Sequence, residues 1–350
     1  PDVYRKFWHP YSEGYEDGIK QGTPSDHLES IEEKTREFEI QKIQFQDQKR
    51  EYRKLLRNEA RFMKIKEDIE QSVSSLNEYQ PYVYEDLSSD DINDKEGLVL
   101  LSDWHMGMEV DNTFNKFNKE IFNQRVRKVV EKTIEYGKKN NISTLHVANL
   151  GDMISGTLHV STRDQSNEDL IEQITYVAEV LSNCLSEFAK HFKQVKYYNV
   201  IGNHARILPN KNDVGLKENF EYLIPWYLEA RLKDFDNIDM VSDEDGMIMA
   251  NIMGEEIVFV HGNFDRADSC VKNISQMTGN VPDHIFMGHI HHHVEKENGH
   301  TTVIVNGSLI GVDDHTVQKR LYAKPSQKFI VFDKEEGLES TYHIKLHKIK

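Results

Sequence analysis

Cysteine is almost absent from this 350-residue sequence, in which Cys184 and Cys270 are the only two. Two isolated thiols cannot form a disulfide framework, and their spacing does not match a cysteine-based zinc site. We therefore expect both to be small residues of a hydrophobic core. The fold has to be stabilised by buried apolar surface instead, and the chain is long enough to provide it.

Long apolar runs are also missing. No segment approaches the roughly 20 apolar residues that a membrane-spanning helix needs. The first residues, Pro1 to Lys6, show no apolar signal segment. This pattern predicts a cytoplasmic protein without a membrane partner.

Positive charge is scarcer than negative charge. The 43 lysines and arginines are outnumbered by 59 aspartates and glutamates, which gives a formal net charge of -16. A protein that holds duplex DNA by electrostatics alone is normally basic. Any affinity for nucleic acid would therefore have to come from bound cations and local clusters of arginine or lysine. An acidic surplus also helps a pocket to concentrate divalent cations.

The first quarter of the chain differs in character from the rest. Residues 1–25 have no clear period and are predicted to be irregular. Residues 26–80 show a rough heptad that predicts a long helical or coiled-coil arm; its apolar positions include Leu28, Ile31, Phe38, Phe45 and Tyr52. So polar a helix does not fold alone. It could pair with a second copy of the chain or a partner protein, fold back as a hairpin, or lie on the catalytic domain.

An acidic, serine-rich stretch at residues 81–96 predicts a linker, and residues 97–350 then form the predicted catalytic domain. In this domain, apolar segments at 98–102, 144–150 and 195–201 alternate with helical patterns at 119–139, 168–192 and 216–235. Shorter, hairpin-like strands follow from residue 247 onward. This order predicts an α/β fold of two packed sheets flanked by helices, preceded by the helical arm.

Five short polar clusters follow strand-like segments of this domain. They are Asp103-Trp104-His105, Gly151-Asp152, Gly202-Asn203-His204, His261-Gly262 and Gly288-His289-Ile290-His291. Strand ends combine a rigid backbone with side chains that open into a crevice. Carboxylate, amide and imidazole donors without thiolates suit manganese, iron or zinc better than calcium. Because His289 and His291 alternate with Ile290, both rings are predicted to lie on one face of an extended segment.

As an ordered set, these motifs resemble the calcineurin-like metallophosphoesterase superfamily over about residues 97–346, and within it the branch of double-strand-break-repair exonucleases. The resemblance implies an αββα sandwich that binds two divalent cations, expected to be Mn²⁺, with Fe²⁺ or Zn²⁺ as alternatives. It assigns the first cation to Asp103, His105, Asp152 and His291. It assigns the second to Asp152, Asn203, His261 and His289.

The implied reaction is in-line attack on a phosphoester. Two cations about 4 Å apart lower the pKa of a shared water, and His204, as general acid, protonates the leaving alkoxide. The sequence departs from the family in one place, where an aspartate or glutamate usually follows the Gly-Asn-His triplet and here Ala205 and then Arg206 occur. Either another acid orients His204, or Arg206 has become a phosphate clamp.

Other side chains near the motifs allow two interpretations, a role in substrate binding or an ordinary structural role. His159, Arg163 and Arg206 are candidates for binding substrate phosphate, although a plain surface loop would give the same composition. Trp104 could stack on a base or form a wall of the core.

Three functions fit these features. The first, which we favour, is a manganese-dependent, exonuclease-like DNA nuclease whose arm pairs two catalytic domains. The second is a phosphodiesterase or phosphatase for a small nucleotide or another phosphoester, which the acidic net charge favours. The third is an inactive adaptor that interacts through the helical arm.

Overall fold

The computed structural model describes residues 32–50, six further positions up to residue 64, and residues 94–349 apart from short gaps at 157, 159–165, 167, 209–214, 244 and 319. The predicted irregular segment 1–25 and most of the predicted linker lie outside the described residues. The chain divides into two compact units, residues 1–65 and residues 66–350.

In the first unit, residues 32–50 form a helix. Phe38, Phe45 and Tyr52 of the predicted apolar seam are 45%, 66% and 62% exposed. The pairing of this helix with another chain stays a prediction.

The second unit contains thirteen strands and five α-helices among its described residues. The strands are β1 (Lys95–Leu101), β2 (Val110–Asp111), β3 (Lys116–Phe117), β4 (Thr144–Asn149), β5 (Gln194–Asn199), β6 (Ile238–Ser242), β7 (Met247–Ile252), β8 (Glu255–Val260), β9 (His284–Met287), β10 (Val294–Asn298), β11 (Thr301–Val305), β12 (Ser326–Asp333) and β13 (Gly337–Lys345). The helices are α1 (Lys119–Lys139), α2 (Leu170–His191), α3 (Leu223–Arg231), α4 (Cys270–Thr278) and α5 (Asp314–Gln318). A single 3-10 turn, Phe220–Tyr222, precedes α3.

Two mixed sheets organise these strands. The first has six strands in the order β13-β12-β1-β4-β5-β6, in which β1, β4, β5 and β6 are parallel. The second has five strands in the order β10-β11-β9-β8-β7, and its central strands β8, β9 and β11 are parallel. Strands β2 and β3 form a separate small hairpin.

The main core lies between the two sheets. It joins buried residues of β1, β4, β5 and β12 to buried residues of β7, β8, β9 and β11. At its centre the rings of Phe259 and Phe286 stack with centroids 5.8 Å apart, and both side chains are fully buried. Burying apolar surface of this kind is the main force that holds sheets together.

Helices cover the outer faces of the sheets. Helices α1 and α2 contact β12 and β5 of the first sheet, while Cys270 and Ile274 of α4 pack on the second sheet. The predicted fold of two packed sheets flanked by helices is therefore confirmed. Both cysteines are free and buried, as expected for core residues.

The helical ends follow ordinary capping chemistry. Asn118 caps α1 by accepting a hydrogen bond from the Ile121 amide, and Asp169 and Glu172 form a reciprocal capping box at the start of α2. The predicted helix at 216–235 is wrong in its extent, because α3 spans only Leu223–Arg231. Asn219 accepts a hydrogen bond from the Glu221 amide and so begins the 3-10 turn there.

None of the helices in the described part of the chain is long and apolar enough to cross a bilayer.

Candidate metal centre

The predicted ligands come together where strands of both sheets end. Asp103 and His105 follow β1, Asp152 follows β4, and Asn203 follows β5 in the first sheet; His261 follows β8, and His289 and His291 follow β9 in the second. Main-chain hydrogen bonds join these ends, from Asp103 N to Gly151 O at 3.0 Å and from Gly288 N to His261 O at 3.0 Å. The carboxyl ends of the parallel strands in the two sheets therefore meet at one crevice.

The backbone bends sharply at most of these positions. Five of the seven predicted ligands have a left-handed conformation, with φ of 52° at Asp103, 47° at His105, 55° at Asp152, 69° at His289 and 62° at His291. Residues with side chains rarely adopt such angles, and they are found at sites where function requires a strained backbone. The predicted extended segment at His289 and His291 is wrong, because a left-handed turn, not strand alternation, directs both rings into the crevice.

One cluster of donor atoms joins Asp103, His105 and His291, whose ligand atoms all lie within 4.8 Å of one another. The Nε2 atoms of His105 and His291 are 3.1 Å apart, and His291 Nε2 is 3.4 Å from Asp103 Oδ1. The Asp103 carboxylate also accepts a hydrogen bond from the His289 amide at 3.1 Å. This bond connects the end of a strand in the first sheet to the end of a strand in the second.

A second cluster joins Asp152, His261 and His289. His261 Nε2 lies 3.1 Å from Asp152 Oδ2 and 3.1 Å from Asn203 Oδ1. A third grouping places Asp152 with His105 and His204. Asp152 is therefore the carboxylate that connects both sides of the crevice.

The donor set fits divalent cations. Asp103 and Asp152 are 0% and 1% exposed, and their ion-pair partners in the described chain are histidines. Buried carboxylates require compensating positive charge. His261 Nδ1 donates to the Leu150 carbonyl at 2.7 Å. This bond directs Nε2 at the Asp152 and Asn203 oxygens, as in metal-ligating histidines whose other nitrogen is held by a carbonyl.

The titration behaviour of the histidines divides them into two kinds. Burial, with the nearby His204 and His291, lowers the pKa of His105 to about 3, and burial lowers that of His289 to about 4. Burial also acts to lower the pKa of His261, but the Asp152 and Asp103 carboxylates and the Leu150 carbonyl together outweigh it and raise this pKa to about 9. Without a bound cation, His261 therefore carries a proton near neutral pH. A cation that binds to His261 has to displace this proton.

Metal affinity should consequently depend on pH. Because a cation has to displace the proton on His261, we expect affinity for Mn²⁺ to rise from about pH 6 to about pH 8.5, by up to about tenfold per unit for each proton released. Calorimetry in buffers of different ionisation enthalpy measures both the affinity and the protons released. Affinity that is flat across this range, with no protons released, would contradict the assignment.

His204 is held beside this crevice by main-chain groups. Its Nδ1 donates to the Ser155 carbonyl at 3.1 Å, and its Nε2 lies 3.9 Å from Asp152 Oδ2. The contact needs glycine at position 156, where an added Cβ would lie 2.1 Å from the His204 carbonyl oxygen. A backbone carbonyl thus orients the ring, where the sequence resemblance led us to expect a carboxylate.

The predicted substrate-binding residues have different outcomes. Arg206 is half-buried and lines a cavity next to the crevice, whereas His159 and Arg163 lie outside the described residues. Trp104 is fully buried and meets Phe122 edge-to-face at 5.5 Å. It is a wall of the core and cannot stack on a base.

Sequence reasoning missed Glu221, which supports the crevice from behind. This carboxylate is 0% exposed and accepts hydrogen bonds from the Met153 amide at 2.6 Å, the Ile154 amide at 3.3 Å and the Gly202 amide at 2.6 Å. It thereby ties the loop after Asp152 to the loop before Asn203. Its segment looked like an ordinary helix, and no spacing rule connects it to the motifs.

Replacing Glu221 with glutamine tests this support. Burial, with the Asp152 charge adding to it, raises the pKa of Glu221 to about 7. The amide of glutamine would direct a donor at an N–H group, so we expect the affinity for Mn²⁺ to fall by about 10- to 100-fold. The matched control is Glu229→Gln on the exposed face of α3. Equal affinities in both variants, measured by calorimetry, would show that Glu221 does not position the ligands.

Comparison with known proteins gives distant likenesses. No protein-family profile matches the chain. The SPbeta prophage-derived uncharacterized protein YonJ of Bacillus subtilis (strain 168) is 25% identical over 346 residues, which cover 96% of this chain and 85% of that protein. The match therefore extends into the first unit as well as the second.

Solved structures show a likeness at low identity, and each match covers 71% of this chain. An archaeal phosphodiesterase is 15% identical, with 99% of its chain covered and a TM-score of 0.37. A predicted phosphoesterase of Streptococcus pneumoniae TIGR4 is 9% identical, with 97% covered and a TM-score of 0.28. Vps29 of Entamoeba histolytica, complexed with zinc, is 12% identical, with 99% covered and a TM-score of 0.29.

Proposed function

We propose that this chain is a metal-dependent phosphodiester hydrolase of the calcineurin-like metallophosphoesterase superfamily. The observation that carries the proposal is the pair of carboxylate and imidazole clusters, which the third grouping of Asp152 with His105 and His204 connects. Seven residues from five separate segments of the chain provide donors of the type that such chemistry requires.

In this proposal, Asp103, His105 and His291 hold one cation, Asn203, His261 and His289 hold the other, and Asp152 contributes to both. When bound, two divalent cations polarise a phosphoester and make a nucleophilic water available at neutral pH. Asp103 and Asp152 supply the negative charge that binds the cations, while the neutral rings of His105 and His289 offer lone pairs.

His204 has the complementary role of general acid. Because the Ser155 carbonyl accepts from Nδ1, we assign the role of proton donor to Nε2, which lies 3.9 Å from Asp152 Oδ2. A proton donated from Nε2 neutralises the leaving alkoxide as the phosphorus–oxygen bond breaks. The ring then regains its proton from solvent, to which His204 is partly exposed.

For the substrate class we propose DNA, cut in the manner of an exonuclease. Two features support this choice. All seven predicted metal ligands are present, and apolar residues of the N-terminal helix are exposed. The net charge of -16 favours a small nucleotide or other phosphoester as the alternative, since the protein has little general attraction for a polyanion. Metal ions in the crevice would provide the local positive charge that DNA needs.

Incubation with Mn²⁺ and end-labelled single- or double-stranded DNA, in parallel with bis-p-nitrophenyl phosphate, tests the proposal. We expect both to be hydrolysed, and EDTA to stop the reaction. Turnover of the small diester with intact DNA would replace the nuclease by a small-substrate phosphodiesterase. If neither is cut with Mn²⁺, Fe²⁺ or Zn²⁺, the chain is not this kind of hydrolase.

We also propose that the N-terminal helix pairs with a second copy of the chain or with a partner protein. Phe38 and Phe45 lie one heptad apart and are 45% and 66% exposed, and apolar residues at this spacing form the seam of a coiled coil. Sedimentation of the full chain should give a dimer that Phe38→Asp and Phe45→Asp convert to a monomer. A monomeric mass for the unaltered chain would contradict self-pairing.

A further inference from the structure

A cavity adjoins the metal centre on the side of Asn203 and His261. Its wall includes Gly202, which directly precedes Asn203, and Asn263, which follows His261 by two residues. The empty space is about 440 Å³, a figure that includes the solvent at its open side. A group attached to a phosphate in the crevice would therefore reach directly into this cavity.

Two apolar side chains line the cavity. Phe264 is 64% exposed and Leu216 is 39% exposed, and both line it. Gly246, with φ of 79°, lies between them, where an added Cβ would contact Leu216 Cδ2 at 3.7 Å and Phe264 Cε2 at 4.0 Å. The glycine therefore leaves the space between these two side chains without a side chain of its own.

The wall of the cavity also contains polar groups that can form hydrogen bonds with the edge of a base. The half-buried Asn263 amide makes no hydrogen bond with the described residues, and it offers both a donor and an acceptor. Phe264 has no aromatic partner within the described ranges, so its face is available to a ligand. Aromatic faces that bind nucleic acid commonly stack on bases, because every base has a π-face. Arg206 also lines the cavity and can pair with a phosphate.

We infer that this cavity is a subsite for the nucleobase of the nucleotide whose phosphate is hydrolysed, with Phe264 as the stacking surface and Asn263 as the group that meets the base edge. The inference rests on the proposed phosphodiesterase function. It narrows the substrate class to nucleotidyl phosphodiesters, as opposed to phosphoproteins or simple phosphate esters.

Two esters that share one leaving group separate the subsite from the chemistry. Thymidine 5′-(p-nitrophenyl phosphate) carries a nucleoside, and methyl p-nitrophenyl phosphate does not. We expect the unaltered protein to prefer the thymidine ester in kcat/KM. Phe264→Ala should lower kcat/KM for the thymidine ester by about 5- to 100-fold and change that for the methyl ester less than about twofold.

Matched variants sharpen the result. Phe264→Trp should restore the preference, since tryptophan provides a larger stacking face. Asn263→Ala should lower kcat/KM for the thymidine ester only. Met277→Ala, a change at a residue of α4 that is 68% exposed and outside the cavity, should leave both substrates unaffected. Activity on the methyl ester also reports that each variant is folded.

The outcomes distinguish the two levels of the proposal. If neither ester is hydrolysed with Mn²⁺, Fe²⁺ or Zn²⁺, the phosphodiesterase function itself fails. If both are hydrolysed but Phe264→Ala keeps the preference of the unaltered protein, or if no preference exists, the function stands and the base subsite is wrong. A selective loss for the thymidine ester, recovered by Phe264→Trp, supports the subsite.

Discussion

Replacing Asp152 with asparagine should lower kcat for bis-p-nitrophenyl phosphate by on the order of 10³-fold, since electrostatic groups at a reaction centre contribute effects of this size. Asp152 is fully buried, groups with histidines of both clusters, and accepts hydrogen bonds from the Asn203 and His204 amides at 2.7 and 2.8 Å. Asparagine keeps one oxygen but removes the charge that binds cations on both sides. We therefore expect metal content to fall together with kcat.

The control is Asp239→Asn, which removes an exposed carboxylate on β6. It should retain full activity and full metal content as measured by mass spectrometry of the purified protein. Normal metal content and near-normal kcat in the Asp152 variant would contradict the sharing of this carboxylate. A circular dichroism melt of each variant separates loss of the centre from loss of the fold.

Replacing His204 with asparagine should have an effect that depends on the leaving group. General acid catalysis contributes about 10²- to 10⁴-fold where an alkoxide leaves, as in DNA or a dinucleotide. p-Nitrophenolate is a stable anion that needs no proton. We therefore expect a large loss of kcat for a dinucleotide and a much smaller loss for bis-p-nitrophenyl phosphate.

This contrast distinguishes an acid from a residue that only contacts substrate, because loss of a contact would slow both reactions alike. Metal content should stay unchanged, since His204 is not among the proposed ligands. His300→Asn alters an exposed histidine in the turn between β10 and β11 and should leave both rates as they are. An equal loss of kcat for both substrates would show that His204 is not the general acid.

The sequence was sufficient to predict the layered fold and the residue types of the centre. Ligands such as Asp152 and Asn203 follow parallel strands of one sheet, so a rule about strand ends places them together. His261 and His289 come from the other sheet. Only their order in the chain, through the family resemblance, suggested that they join the same crevice.

Other features depend on contacts between residues that are far apart in the sequence, and local sequence patterns do not predict such contacts. The left-handed backbone at His289 and His291 belongs to a turn whose His289 amide donates to the Asp103 carboxylate, which lies far away in sequence. Likewise, Glu221 acts on loops 19 and about 70 residues away in sequence. The carbonyl of Ser155 that holds His204 is available from any residue type, so no side-chain pattern could have predicted it.

The central claim is tested most directly by anomalous diffraction from crystals grown with Mn²⁺. The account predicts two strong peaks at the manganese edge, one among Asp103, His105 and His291 and one among Asn203, His261 and His289, with Asp152 contacting both. A map with a single peak, or with peaks only outside this crevice, would contradict it.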